Sequence, residues 1–136
     1  MTGTFTAPHE LISRHTQPLR RVEKPWGYEL IWALTDSYCG KILFVEAGHS
    51  LSLQYHRQKD ETICLHSGRA RIHLGEAEGP LRIVTIAPGK SFHVPPGTVH
   101  RLEAIEDSLF LEVSTPHLDD VVRLEDEYGR EGTSAP

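Results

Sequence analysis

The sequence has few cysteines, no excess of positive charge and no long apolar run, and each shortage excludes a class of protein. Cys39 and Cys64 are the only two cysteines. Two thiols in a chain of this length read as buried, reduced side chains in a cytoplasmic protein rather than as the staple of a secreted one. Lys and Arg together number 14 against 19 Asp and Glu, a net charge of −5. A general nucleic-acid binder needs a basic surface, so that class is disfavoured. The longest uninterrupted apolar stretch is residues 30–34. A membrane-spanning helix needs about 20 such residues, so no membrane partner is expected. Residues 1–10 lack the cationic-then-apolar order of a secretory signal,. Internal repeats and low-complexity segments are missing too. What remains is a chain of 136 residues, 38% apolar and 24% charged, which suits one globular domain,. Such a chain buries roughly two thirds of its unfolded surface without disulfides.

Glycine, proline and histidine are plentiful, at 11, 9 and 9 residues. Short segments of strand character recur at 28–34, 41–46, 51–56, 62–66, 70–74, 81–86, 91–94, 100–104 and 109–113. Turn signals separate them, among them Ser67-Gly68, Pro88-Gly89 and Pro95-Pro96-Gly97. Strands spaced by about 8–12 residues with Gly/Pro turns predict an all-β sandwich or barrel. Residues 1–18 are polar and interrupted by Pro8 and Pro18, which predicts a loose N-terminal arm able to add an edge strand to a neighbour. Only the end has helical spacing. Leu118, Val121, Val122 and Leu124 form a weak stripe behind Asp119 and Asp120, so a short C-terminal helix is expected over 118–128,. Residues 131–136 are expected to fray.

Histidines in excess point to a metal. On a strand, residues i and i+2 face the same way, so Gln54 and His56 share a face. Glu61 follows after a turn, and His100 comes from a second hairpin behind Pro95-Pro96-Gly97. Two imidazoles, a carboxylate and an amide oxygen suit one divalent ion: Zn, Fe(II), Mn, Co or Ni.

The first of these segments reads Gly48-(five residues)-Gln54-x-His56-(four)-Glu61-(six)-Gly68, the second Gly89-(five)-Pro95-x-Gly97-(two)-His100. Both resemble the paired motifs of the cupins, with Gln54 in place of the first histidine and Ala104 in place of a final asparagine. A narrower resemblance runs through residues 20–130. Lys24-Pro25-Trp26-Gly27-Tyr28-Glu29, Leu51-Ser52-Leu53-Gln54, His100-Arg101-Leu102-Glu103 and Val121-Val122-Arg123-x-Glu125-Asp126-x-Tyr128-Gly129-Arg130 are similar to type II mannose-6-phosphate isomerases. In that family the cupin is often the C-terminal part of a bifunctional mannose-1-phosphate guanylyltransferase.

The resemblance implies a double-stranded β-helix, or jelly roll, spanning 19–130, with one metal held by Gln54, His56, Glu61 and His100. It implies a cytoplasmic isomerase or epimerase acting on a sugar, a sugar phosphate or a related polyol, and a homodimer. Its loop after the first metal-binding histidine, H-H-R-A-E-H-W, is replaced here by Arg57-Gln58-Lys59-Asp60-Glu61-Thr62-Ile63, which points to an altered substrate. An aldose–ketose isomerase needs a base and a cation for the developing oxyanion. Glu112 is the candidate base, and Lys41 the candidate holder of a phosphate or oxyanion. The plainer alternatives are an ion pair of Glu112 with Arg101 or Arg123, and a solvated strand-edge Lys41. His93 is either a surface residue or a neighbour of the site. Trp26 and Trp32 are expected to pack, and Arg123, Glu125, Asp126 and Arg130 to form surface ion pairs that dock the C-terminal segment. The same two histidines and carboxylate also suit an Fe(II) oxygenase, and a non-catalytic metabolite-binding barrel is a third reading.

Overall fold

A computed structural model describes residues 7–76 and 79–133. After a helix α1 (Pro8–His15) come β1 (Arg20–Lys24), β2 (Gly27–Leu34), β3 (Cys39–Val45), β4 (Leu53–Tyr55), β5 (Glu61–Ser67) and β6 (Ala70–Gly75). They are followed by β7 (Arg82–Ile86), β8 (Ser91–Val94), β9 (Val99–Ala104), β10 (Ser108–Ser114) and β11 (Val122–Glu125). Two antiparallel sheets result, in the orders β1-β2-β3-β10-β5-β8 and β11-β4-β9-β6-β7. This is an all-β jelly roll, as expected.

Alternation along the strands fills the barrel. In β10 the residues Ser108, Phe110, Glu112 and Ser114 point inward, and Leu109, Leu111 and Val113 outward. The apolar core joins Leu43, Val45, Ile63, Leu65 and Phe110 of the first sheet to Ala70, Ile72, Leu102 and Ala104 of the second. Towards one end the inward positions turn polar. Lys41 of β3 pairs in register with Glu112 of β10, and Glu61 of β5 with Ser114. Those inward charges set the site. Turn glycines do what their positions require. Gly68, between β5 and β6, has φ +96°, and a Cβ there would lie 2.3 Å from the Asp107 carbonyl oxygen.

Both ends of the chain differ from expectation. Residues 118–128 are not helical. Val122–Glu125 is a strand that pairs with β4, with Arg123 opposite Gln54. The β-branched pair Val121-Val122 favours extension, and a three-residue β4 would otherwise leave its backbone unpaired on that side; pairing outweighs a weak helical stripe. At the other end, the arm contains α1, which starts with Pro8 at its first turn and buries no residue. Eight residues with only Leu11 and Ile12 as large apolar side chains carry little periodic signal. Of the tail, Glu131–Thr133 is tied down: the Gly132 N–H donates to the Arg123 carbonyl and the Arg123 Nη1 to that of Thr133. Residues 134–136 lie outside the described set. Trp26 joins the core, whereas Trp32 is 51% exposed. Cys39 is buried, Cys64 half-buried, and neither is in a disulfide.

Candidate metal centre

His56 follows β4, Glu61 opens β5, and His100 lies on β9 opposite Gln54. Their ligand atoms lie within 4.8 Å of one another, and all three side chains are buried. His56 Nε2 is 3.4 Å and His100 Nε2 3.0 Å from the same Glu61 Oε1.

The partners of the other ring nitrogens decide what this cluster can hold. His56 Nδ1 donates to the Asp120 carbonyl, and His100 Nδ1 to the Thr98 carbonyl at 2.9 Å. A carbonyl only accepts, so Nδ1 carries the proton in both rings. In the neutral rings both Nε2 atoms then present lone pairs to a carboxylate, and His56 Nε2 makes no hydrogen bond. Two lone pairs and a carboxylate facing one point fit a divalent cation, with backbone carbonyls orienting the imidazoles as they do around metals. The structure thus joins three of the four expected ligands. Gln54 lines the cavity beside them, and its Oε1 accepts from the Ser52 hydroxyl at 2.7 Å.

Lys59 was the residue that sequence reasoning missed. Its ammonium is buried 2.8 Å from Glu61 Oε2 and donates to Glu112 Oε2 at 3.1 Å. Glu112 does face the interior, and its partner is Lys59, not Arg101 or Arg123. Burial pushes the Lys59 ammonium down, but Glu112 and Glu61 outweigh this and raise it. Burial likewise pushes Glu61 up, yet it is held well below the usual carboxylate range, with the Lys59 ammonium 2.8 Å from its Oε2. For Glu112 burial prevails, and its carboxyl is raised despite Lys59. The only sequence signal for Lys59 was its spacing: with Glu61 it shares one strand-like face at i, i+2.

Lys41 is not a solvated edge residue; it is 6% exposed and 3.5 Å from Glu29. Nor do the C-terminal charges lie on the surface, except Glu125. Arg123 and Arg130 are buried, and Arg130 pairs with the equally buried Asp126. Lys24, Lys41, Lys59, Arg123 and Arg130 line a cavity of about 90 Å³ together with Gln54, His56 and Glu112. An adjoining cavity of about 190 Å³ shares Lys24, Glu29, Lys41 and Arg123. A larger furrow of about 760 Å³ lies elsewhere, lined by Leu74, Arg82 and Pro96, without the metal cluster. His93 borders that furrow and pairs with Asp60, so it is a surface residue.

The family model "Mannose-6-phosphate isomerase C-terminal" matches residues 12–126. This chain belongs to that family. Among curated relatives, the xanthan biosynthesis protein XanB of Xanthomonas campestris is 35% identical over 118 residues, 82% of this chain and 24% of that protein. Mannose-1-phosphate guanylyltransferase ManC of Salmonella typhimurium is 35% identical over 124 residues, 86% of this chain and 25% of that protein. The isomerase-type cupin described here therefore spans about a quarter of the length of these relatives. Solved structures share the fold. The capsular polysaccharide assembling protein CapF of Staphylococcus aureus superposes with a TM-score of 0.72 at 17% identity, over 84% of this chain and 34% of that one. Oxalate decarboxylase of Bacillus subtilis, which has Mn(II) centres, gives 0.66 at 23% identity over 76% and 29%.

Proposed function

We propose that the protein is a metal-dependent isomerase or epimerase of a sugar phosphate or related polyol. The observation that carries this is the convergence of His56 Nε2, His100 Nε2 and Glu61 on one point beside a cavity lined by five cations. Gln54 is the fourth ligand through its amide oxygen. A divalent ion there, whether Zn, Mn, Fe, Ni or Co, would polarise a substrate carbonyl and stabilise charge developing on its oxygen.

The chain's own groups supply the proton transfer. Glu112 takes a proton from the carbon next to the carbonyl and returns it to the former carbonyl carbon, while the proton of the adjacent hydroxyl passes to the former carbonyl oxygen. Its raised proton affinity suits that task, because a base works best when its pKa lies near the working pH,. Lys59 fixes the Glu112 carboxylate at 3.1 Å. Lys41, next in register to Glu112, orients a substrate oxygen. The walls of Trp26, Leu43 and Leu51 keep water from the reacting carbons,.

The test is incubation of metal-loaded protein with aldose and ketose phosphates in D2O. Interconversion, with deuterium gained at the carbon next to the carbonyl, is expected. No turnover of any hexose or pentose phosphate sinks the proposal, and Fe(II)-dependent oxygen uptake would replace it with an oxygenase.

The chain works as a homodimer in the cytoplasm. Supporting this is the outer face of the first sheet, where Trp32, Leu111 and Val113 are exposed beside the outward Leu30 and Ile42. Such a patch on a soluble surface marks an interface. Light scattering should give twice the chain mass of 15.3 kDa, and the monomer mass alone would refute it.

A further inference from the structure

Arg123 is 7% exposed, and only part of its guanidinium is satisfied. Nη1 donates to the Thr133 carbonyl at 2.9 Å. Nε has no hydrogen-bond partner, and no carboxylate among the described residues pairs with this arginine. Asp126, the obvious candidate, is taken by Arg130, which reaches its two oxygens at 2.9 and 3.1 Å. A buried cation without a counter-ion is strongly unfavourable unless an anion arrives.

The neighbours of Arg123 share the same deficit. Lys24 and Lys41 have one carboxylate between them, Glu29, at 3.9 and 3.5 Å. Lys24, Lys41 and Arg123 against Glu29 leave two positive charges in excess, inside a chain whose net charge is −5. A phosphate monoester carries close to two negative charges at neutral pH. All four residues line both the 90 Å³ cavity and the 190 Å³ one.

We infer that Arg123, with Lys24 and Lys41, is an anion subsite that holds the phosphate of the substrate, apart from the metal centre. This rests on the proposed sugar-phosphate reading and adds where the phosphate goes. Arg123 stands opposite Gln54, and Gln54 opposite His100, in adjacent strands. Strands lie about 4.8 Å apart, which sets Arg123 about 10 Å from His100 along this row. A phosphate so placed sits at the end of the carbon chain remote from the reacting carbons. Guanidinium is the right group, since its fork matches phosphate oxygens in pairs.

The probe is inorganic phosphate, titrated by calorimetry into the full chain at constant ionic strength, both metal-replete and chelator-treated. Saturable binding that survives the chelator is expected, because the subsite does not use the metal. Arg123→Met should weaken it roughly 10- to 100-fold, the size of losing a charge-assisted hydrogen bond, and Arg123→Lys should weaken it less. Lys24→Gln gives a second reading should the arginine variant fail to fold, and it should weaken phosphate too. Unaltered affinity in the folded variants, or binding that vanishes with the chelator, overturns the subsite. Phosphate binding that behaves as expected in a protein that turns over no sugar phosphate keeps the subsite and removes the isomerase.

Discussion

Replacing Lys59 by methionine tests the electrostatics of the centre most directly. The ammonium is 6% exposed and touches two buried carboxylates, at 2.8 and 3.1 Å. Methionine keeps most of the volume and removes the charge, which leaves Glu61 and Glu112 facing each other without a counter-ion. Removing one member of a buried ion pair destabilises by about 3–5 kcal/mol. With an unfolding entropy of about 2.1 cal/mol/K per residue, a chain of this size should lose about 10–17 °C in melting temperature. The assay is circular-dichroism melting at pH 7 after chelator treatment, repeated with saturating divalent metal. Metal should restore part of the loss, because it supplies the charge that Glu61 needs. Burial already raises the Glu112 carboxyl, and the substitution raises it further. A carboxyl raised by folding is tolerated below its unfolded value and penalised as pH rises through the folded one, so the defect should shrink towards pH 5. Exchanging Glu112 for leucine on top should recover stability. A loss of less than about 1 kcal/mol at pH 7 would show that Lys59 is not the counter-ion of this pair.

Substituting His56 or His100 by alanine should lower bound divalent metal, read by elemental analysis. It should also abolish the metal-dependent rise in stability, about 2.7 kcal/mol at a metal concentration of 100 times Kd; unchanged stoichiometry would refute the ligand set. Asp120→Ala should cost about 1–3 kcal/mol, because its carboxylate accepts the N–H groups of Arg57, Gln58 and Lys59, the loop leading to Glu61,. Burial pushes Asp120 up, but those three bonds hold it below the usual range. Its contribution is therefore complete above about pH 4 and lost as pH falls through the lower folded value. Denaturant titrations should show Asp120→Asn with a shallower acid limb than the parent, and parallel limbs would refute the assignment. Phe110→Ala should lose about 3–5 kcal/mol in the same titrations, since the ring is fully buried between the sheets,.

All nine strand segments read from the sequence are strands, because period-two alternation and Gly/Pro turns are local signals,. The histidine–glutamate cluster was legible for a similar reason: spacing on two hairpins is conserved by strand geometry. What escaped was burial of long charged side chains. Lys59, Arg123, Asp126 and Arg130 look like surface residues in a linear chain, and their interior position depends on which strands meet. Arg123 is carried inward by β11, a strand that forms because β4 offers it an edge, so the signal is tertiary. The expected partners of Glu112 were arginines; Lys59 is nearer because the loop bridging β4 and β5 is pinned by Asp120.

The first sheet reverses the usual pattern at one end, with apolar side chains outside and charged ones inside. Its outer face shows Trp32, Leu111 and Val113, whereas its inner face there holds Glu29, Lys41 and Glu112. A polar interior of this kind is stable only if every charge is matched. At the metal end the described groups leave a negative excess, since Glu61 and Glu112 share Lys59. At the Arg123 end the excess is positive, since Lys24 and Lys41 share Glu29 and no carboxylate among the described residues pairs with Arg123. One cavity joins the two ends. Under the proposed function a cation would complete one and an anion the other, so a substrate with a carbonyl at one terminus and a phosphate at the other would bind in a single direction. On that proposal, the unmatched charges at the two ends would set the orientation in which the proton of the substrate meets Glu112.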